Sequence, residues 1–305
     1  MSTIVPSLNN ITLDSWDHDS FRRHDLKTEV LRLDKIHPEI SGNKWFKLKY
    51  FLNQALLTQK NRLISFGGAY SNHLLALASA ASLFGFSSVG LIRGEEPVIW
   101  SPVLKALKDN GMELRFLTRA EYDRQKKSAL LPNSGEFEQH SLLIPEGGAG
   151  LSGVRGAEEI LKGFPLDEYT HICCAVGTGT TLAGIINSSG PKQKKIGVSV
   201  LKGTSDLKPL TLEWVKNPTD LDQVQMIHED HFGGYAHFTT DLINFMNQTY
   251  ATSGIPTDFV YTGKLFYSVA RLTEMNVFPA GSRILVLHTG GLSGNRSLRP
   301  GLLQF

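Results

Sequence analysis

Lys44 is the first residue whose setting points to covalent chemistry. It follows Gly42-Asn43 and opens a run in which Trp45, Leu48, Leu52 and Ala55 recur at helical spacing. A helix is therefore expected to start near Ser41 to Asn43, either of which could cap it. Lys44 then lies in the first turn, where unpaired N–H groups and the positive dipole end disfavour a cation. A lysine so placed is relieved by losing its proton, and a neutral amine condenses with an aldehyde to a Schiff base. Taken alone, the stretch also reads as a surface lysine snorkelling over a helix start.

Four glycine-bearing segments could meet an anion: Gly67 to Asn72, Gly147 to Gly150, Gly177 to Thr181, and Thr289 to Gly294. Glycine lets backbone N–H groups approach without a Cβ in the way, and a following helix adds favourable polarity. Gly177-Thr178-Gly179-Thr180-Thr181 is the best phosphate cradle, because its threonine hydroxyls can donate as well. It is not a P-loop, since no lysine follows the last glycine. It also lacks the third glycine and the later acidic residue of a dinucleotide fingerprint. A tight turn without ligand remains an equal reading of that loop by itself.

The elements that must carry these segments alternate. Strands are expected over Glu29 to Asp34, Arg62 to Phe66, Ser88 to Ile92, Glu113 to Leu117, Ser141 to Ile144, Tyr169 to Val176, Ile196 to Val200, Gln223 to His228 and Arg283 to His288. Helices are expected between them: after Lys44, over Leu74 to Phe84 with Ser71 or Asn72 as cap, and over Val103 to Asn110. Others are expected around Ile160, through Gly184, over Asp241 to Thr252 and around Val269. Strand and helix in alternation with short loops signal parallel sheets with right-handed crossovers. Ligands in such sheets bind at the carboxyl ends of strands, where the glycine segments fall.

Composition excludes several classes of function. The chain has 305 residues, 41% of them hydrophobic and 20% charged, with a formal charge of +2. Its basic residues are scattered apart from Lys192 to Lys195, so no nucleic-acid partner is expected. No apolar run approaches the roughly 20 residues that span a bilayer, and no membrane partner is expected. The start, Met1-Ser2-Thr3-Ile4-Val5-Pro6, shows no secretory signal. The two cysteines, Cys173 and Cys174, are adjacent, so neither a structural bridge nor a structural zinc site is expected. A cytoplasmic location and no metal follow as expectations.

The set is more specific than its members. Gly42-Asn43-Lys44, Gly68-Ala69-Tyr70-Ser71-Asn72-His73, Gly177-Thr178-Gly179-Thr180-Thr181, Val260-Tyr261-Thr262-Gly263-Lys264 and His288-Thr289-Gly290-Gly291 occur in this order. In these stretches the chain resembles the fold-type II pyridoxal-phosphate enzymes, the tryptophan synthase β superfamily. Within it, the chain looks like the branch holding D-cysteine desulfhydrase and 1-aminocyclopropane-1-carboxylate (ACC) deaminase. The resemblance implies an α/β fold of two open, twisted, mainly parallel sheet domains with the cofactor in the cleft between them. Residues 1–46 and 148–305 would form the larger, cofactor-binding domain, and residues 47–147 the smaller inserted one. A homodimer is also implied.

The resemblance further implies roles. Lys44 would hold pyridoxal 5'-phosphate as a Schiff base and then shuttle the substrate's α-proton. Asn72 would bond the cofactor's phenolic oxygen, Gly177, Thr178, Gly179, Thr180 and Thr181 its phosphate, and Thr289 its ring nitrogen. Ser71 and neighbouring amides would take the substrate carboxylate, with Asn72, His73 and Thr262 close to the substrate. Tyr261 would assist proton transfer. For Tyr261 a core tyrosine, and for His73 a structural side chain, are the alternative readings of the residues themselves.

Two positions bear on the substrate. ACC deaminases of this branch carry a glutamate directly after the tyrosine and a leucine between the histidine and the glycine pair. This chain has Thr262 and Thr289, as the D-cysteine desulfhydrases do. A threonine hydroxyl can bond a neutral ring nitrogen, leaving a weaker electron sink that suits prompt loss of a β-leaving group. The leading expectation is therefore α,β-elimination from a small amino acid, with D-cysteine giving pyruvate, ammonia and sulfide. ACC deaminase, giving 2-oxobutyrate and ammonia, is second, and a serine or threonine dehydratase third. A non-catalytic binder of a phosphorylated metabolite, using Gly177 to Thr181 alone, is the reading from another class. The chain departs from the branch after Ser71-Asn72-His73, where Leu74-Leu75-Ala76-Leu77 replaces the usual arginine and glutamine. It departs again at Leu292-Ser293-Gly294-Asn295, where an aromatic segment is common.

Overall fold

Val30, Ile172, Cys173, Val286 and Leu287 are among the apolar residues that build the central strands, and all are buried. Strands with both faces covered read as near-continuous apolar runs rather than alternating ones. The computed structural model describes residues 5–128, 139–203 and 213–305. One sheet holds six strands in the order β1-β2-β10-β7-β8-β9. These are β1 (Thr12–Ser15), β2 (Lys27–Arg32), β7 (His171–Val176), β8 (Lys194–Ser199), β9 (Val224–Ile227) and β10 (Arg283–His288). β1 is antiparallel to β2, and the other pairings are parallel. A second, all-parallel sheet has the order β5-β4-β3-β6. It contains β3 (Arg62–Gly67), β4 (Ser87–Arg93), β5 (Glu113–Leu117) and β6 (Ser141–Ile144).

Strand order locates the ligand site. From β7 the chain moves outward to β8 and β9, while β10 and β2 lie on its other side, so the order reverses between β7 and β10. In the second sheet the order likewise reverses between β3 and β6. Crevices open at such reversals, outside the carboxyl ends of the strands. The segments that leave β3, β6, β7 and β10 there are the four glycine-bearing ones.

Helix α2 (Asn43–Leu57) joins the two halves. Its Phe46 packs with Ile172 and Val176 of the first core, while Leu48, Phe51 and Leu52 belong to the core of the second sheet. Helices α3 (Asn72–Phe84), α4 (Pro102–Asp109) and α5 (Arg119–Ser128) follow. Next come α6 (Leu151–Glu158), α7 (Thr180–Ser188), α8 (Thr240–Ser253) and α9 (Thr262–Glu274). Small residues let α2, α6 and α7 pack closely. A Cβ on Gly156 would stand 1.9 Å from Phe46 O, and one on Gly184 would stand 2.4 Å from Ala157 Cβ. No helix among the described residues is long and apolar enough to cross a membrane.

The differences from expectation are local. β2 ends at Arg32 because Leu33–Ile36 turns as a 3-10 helix, with Arg32 Nε and Nη2 bonding the Asp34 carboxylate at 2.9 and 2.7 Å. Ile160 lies in a 3-10 turn, Glu159–Leu161, and not in an α-helix. Strand β1 and helix α1 (Asp19–Arg23) went unpredicted. The cap of α2 is Gly42, neither Ser41 nor Asn43. Its φ is +63°, and a Cβ there would stand 2.0 Å from Thr289 O, so only glycine fits.

Candidate active site

The Gly42 contact with Thr289 ties the start of α2 to the end of β10. Asn43 N–H donates to Thr289 O at 3.2 Å, and Asn43 Nδ2 donates to Thr181 Oγ1 at 2.8 Å. Lys44 is thereby held between the loops after β7 and β10. Its Nζ donates to Asn43 Oδ1 at 2.8 Å and lies 5.9 Å from the centre of the Tyr261 ring. Burial pushes the Lys44 ammonium down to about 8, and the Asp258 carboxylate only partly opposes this. Such an amine is neutral far more often at pH 7 than an exposed lysine, as nucleophilic attack on a carbonyl requires.

Gly177 to Thr181 runs from β7 into α7, with Gly179 left-handed at φ +80° and Thr180 and Thr181 buried. Thr178 Oγ1 and Thr180 Oγ1 share a hydrogen bond of 2.9 Å. The Gly147-Gly148 turn closes the other side. A Cβ on Gly147 would come within 3.2 Å of Thr178 Cγ2, and one on Gly148 within 3.3 Å of Lys47 Cβ. Lys47 itself is buried, with Nζ donating to Gly147 O at 3.2 Å. Burial, then the Lys44 charge, hold its ammonium well below the ordinary range. A dianion in this cradle would restore that charge. Sequence reading missed Lys47, although it stands three positions from Lys44, on the same helix face.

Ser71 caps α3, its Oγ accepting from Leu74 N–H at 3.2 Å, as expected of one of the two candidate caps. Asn72 reaches across to the loop after β10, donating from Nδ2 to Gly291 O at 3.2 Å and accepting at Oδ1 from Ser293 Oγ at 2.6 Å. His73 is turned into the second sheet, where its Nε2 meets Ser65 Oγ at 2.9 Å. The single Ser65 hydroxyl hydrogen goes to Ile144 O, so His73 Nε2 carries the imidazole proton and Nδ1 is bare. Burial, then Lys44 and Lys47, push His73 down to about 3. It is a neutral donor to Ser65 at working pH, not a base.

Tyr261 precedes α9 and faces Gly177, whose added Cβ would lie 3.3 Å from the ring. Burial, the Tyr235 hydroxyl and the Asp258 and Glu146 charges raise its pKa well above the ordinary phenol value, so it stays protonated. Tyr235 was not singled out from sequence. It is 49% exposed, and its ring meets that of Tyr261 edge to face at 6.0 Å. Thr262 is fully buried and committed to Asp258. It donates from Oγ1 to Asp258 Oδ1 at 2.7 Å and accepts from Asp258 N–H at 2.8 Å. Asp258 also takes the N–H groups of Val260, Tyr261 and Thr262, so it locks the entry to α9. No pattern in the sequence marked Asp258. Contacts thus link Lys44, Asn72, Gly177 to Thr181, Tyr261 and the Thr289 to Ser293 loop, with Ser71 and His73 at the start of α3.

No family model matches the chain. It is 28% identical over 294 residues to a putative 1-aminocyclopropane-1-carboxylate deaminase of Pyrococcus furiosus, covering 90% of this chain and 88% of that protein. It is 28% identical over 293 residues to a bifunctional D-cysteine desulfhydrase/1-aminocyclopropane-1-carboxylate deaminase of Arabidopsis thaliana, a mitochondrial protein, covering 87% and 72%. The crystal structure of an ACC deaminase homologue superposes with a TM-score of 0.78 at 24% identity, covering 94% of this chain and 90% of that one. A fungal L-serine ammonia-lyase from Rhizomucor miehei superposes at 0.65 with 13% identity, over 92% and 93%. With its two mainly parallel sheets, the chain has the fold of the fold-type II pyridoxal-phosphate enzymes.

Proposed function

We propose that the chain is a lyase that removes the α-proton and a β-leaving group from a small amino acid, with D-cysteine as first substrate and pyruvate, ammonia and sulfide as products. The observation that carries this reading is the enclosed Lys44 amine, held down to about 8 and facing the Tyr261 ring. The crevice fits pyridoxal 5'-phosphate. Glycines stand where a Cβ would fill the cradle, and a buried lysine lacking a counter-charge lies beside it. When bound, that cofactor supplies an aldehyde for amines and a ring that draws off the electron pair of the broken Cα–H bond.

The chain's own residues do the rest. Gly177 to Thr181 and Lys47 would hold the phosphate, Lys44 the aldehyde carbon, Asn72 the phenolic oxygen and Thr289 the ring nitrogen. The Ser71 hydroxyl and the N–H groups opening α3 would hold the substrate carboxylate. The free Lys44 amine would take the α-proton, and its lowered pKa suits a base working near neutrality. Tyr261, kept protonated, would give a proton to the departing sulfur. The names of the relatives favour a second reading, ACC deamination. The same resemblance supports a homodimer and a smaller unit, residues 47–147, that closes over substrate to exclude water.

D-cysteine, L-cysteine, D-serine and ACC, assayed side by side on cofactor-loaded protein, test the proposal. Pyruvate and sulfide from D-cysteine support it. 2-Oxobutyrate from ACC alone replaces it with the second reading. Protein that stays colourless with pyridoxal phosphate, lacking the aldehyde–lysine band at about 410–430 nm, overturns both.

A further inference from the structure

Helix α9 carries a polar stripe aimed at one loop. Lys264, Ser268 and Arg271 are spaced i, i+4, i+7, on one helix face. Lys264 Nζ donates to His231 O at 2.8 Å and to Gly234 O at 2.7 Å. Ser268 Oγ donates to Asp230 Oδ2 at 2.6 Å, and Arg271 Nε to the same oxygen at 2.9 Å. Lys264 and Ser268 are fully buried and Asp230 nearly so. An ammonium withdrawn from water is costly to keep, so its contacts with two turn carbonyls are not incidental.

The loop needs holding. Phe232 at φ +50° and Ala236 at +57° are left-handed, as are Gly233 and Gly234 between them. Side-chain-bearing residues take that conformation only when their surroundings impose it. Tyr235 stands among these four, its ring edge to face with that of Tyr261 at 6.0 Å. Tyr261 is itself the residue before the first turn of α9. One helix thus fixes both phenols, Tyr261 at its entry and Tyr235 through the stripe.

We propose that Lys264, backed by Ser268 and Arg271 on Asp230, is a positioning residue: it holds the Phe232–Ala236 turn so that the Tyr235 ring packs against Tyr261 and sets its hydroxyl toward the reacting atoms. The role of Tyr261 in this statement rests on the reading under Proposed function. Hydrogen exchange and a double-mutant cycle test it on the cofactor-loaded protein.

In Lys264→Met, amides of residues 231–237 should exchange about tenfold faster while those of β3 and β7 keep their protection. On D-cysteine, kcat should fall about tenfold with KM changed less than about threefold, and the same change on a Tyr235→Ala background should cost nothing further. Lys264→Arg, which can still donate to both carbonyls, should recover most of the loss. Unchanged exchange at 231–237, or equal losses with and without Tyr235, would overturn the proposal. If Lys264→Met does not fold, Ser268→Ala is measured by the same two readouts and judged in the same way. A wild-type protein with no turnover on any substrate sinks the assigned reaction instead, and exchange alone then decides the clamp.

Discussion

Ser293 Oγ donates to Asn72 Oδ1 at 2.6 Å, joining the first residue of α3 to the loop after β10. Because Gly291 O can only accept, the Asn72 atom 3.2 Å from it is Nδ2, and the amide has one orientation. That leaves the second Nδ2 hydrogen to donate into the crevice. The loop that departs from the family's aromatic pattern therefore still serves the site, through a hydroxyl.

Ser293→Ala should leave Oδ1 without its donor. The expected cost is about 1 kcal/mol of stability, or a melting temperature lower by roughly 2 °C. Affinity for pyridoxal phosphate should fall about three- to tenfold as the amide loses the hydroxyl that steadies it. Calorimetry and a fluorescence titration measure the two. Unchanged affinity would remove Asn72 from the cofactor contacts or Ser293 from its support.

The lowered pKa of Lys44 makes stability of the cofactor-free protein depend on pH. With a folded value of about 8 against 10.5, the unfolded chain binds more protons between those values, so stability rises with pH across that window. Below pH 8 the cost of the enclosed charge is fully present, about 3 kcal/mol for such a shift. Lys44→Met should accordingly be more stable than wild type at pH 7, with the gap closing as pH approaches 10. Urea unfolding at three pH values measures this, and a gap independent of pH would mean that the amine is well solvated.

Gly42 and Gly85 are both left-handed, at φ +63° and +76°, but only Gly42 faces an obstacle. Gly85→Ala meets open space and should cost about 1 kcal/mol, from backbone conformation alone. Gly42→Ala must also displace Thr289 O, from which its Cβ would stand 2.0 Å. It should cost several times as much, and it should disturb Lys44 and Thr289 together. Loss of cofactor colour with a large loss of stability in Gly42→Ala, against retained colour and a much smaller loss of stability in Gly85→Ala, is the expected pattern.

The site was legible in sequence where a residue's type alone carried the constraint. Glycines that no side chain could replace marked the loops after β3, β6, β7 and β10, and Lys44 stood out by its place at a helix start. Lys47 and Tyr235 were not legible because each owes its role to residues remote in the chain, and Asp258 was not because its role lies in local N–H groups that only the folded turn gathers. Asp258 reads as a turn residue until the N–H groups of Val260 to Thr262 are seen to converge on it. The large-scale fold was read from strand and helix alternation. The N-terminal β1 and α1 were missed because they are short and mostly polar, and β1 is largely exposed at a sheet edge. Helix α2 shows why a boundary is hard to draw from sequence, since its Phe46 and Leu48 lie in different cores.

Thr262 tests how far a single position separates the two branch activities. The branch resemblance places glutamate there in ACC deaminases, which invites Thr262→Glu as a switch. In this chain the Thr262 hydroxyl both donates to and accepts from Asp258, with no exposed surface. A glutamate would bring a second carboxylate against Asp258 and remove the hydroxyl that takes its N–H. Two like charges without a buried cation between them should cost about 3–5 kcal/mol, and the entry to α9 that carries Tyr261 should loosen with them. Thr262→Glu alone is therefore expected to lose D-cysteine turnover without gaining ACC turnover. Thr262→Glu with Asp258→Asn should regain much of the stability, because an asparagine keeps an acceptor for the N–H groups at the helix entry while shedding the charge. Urea unfolding of both variants checks this. A single variant as stable as wild type would show that the glutamate can turn away from Asp258, and the position would then be free to act on the substrate directly.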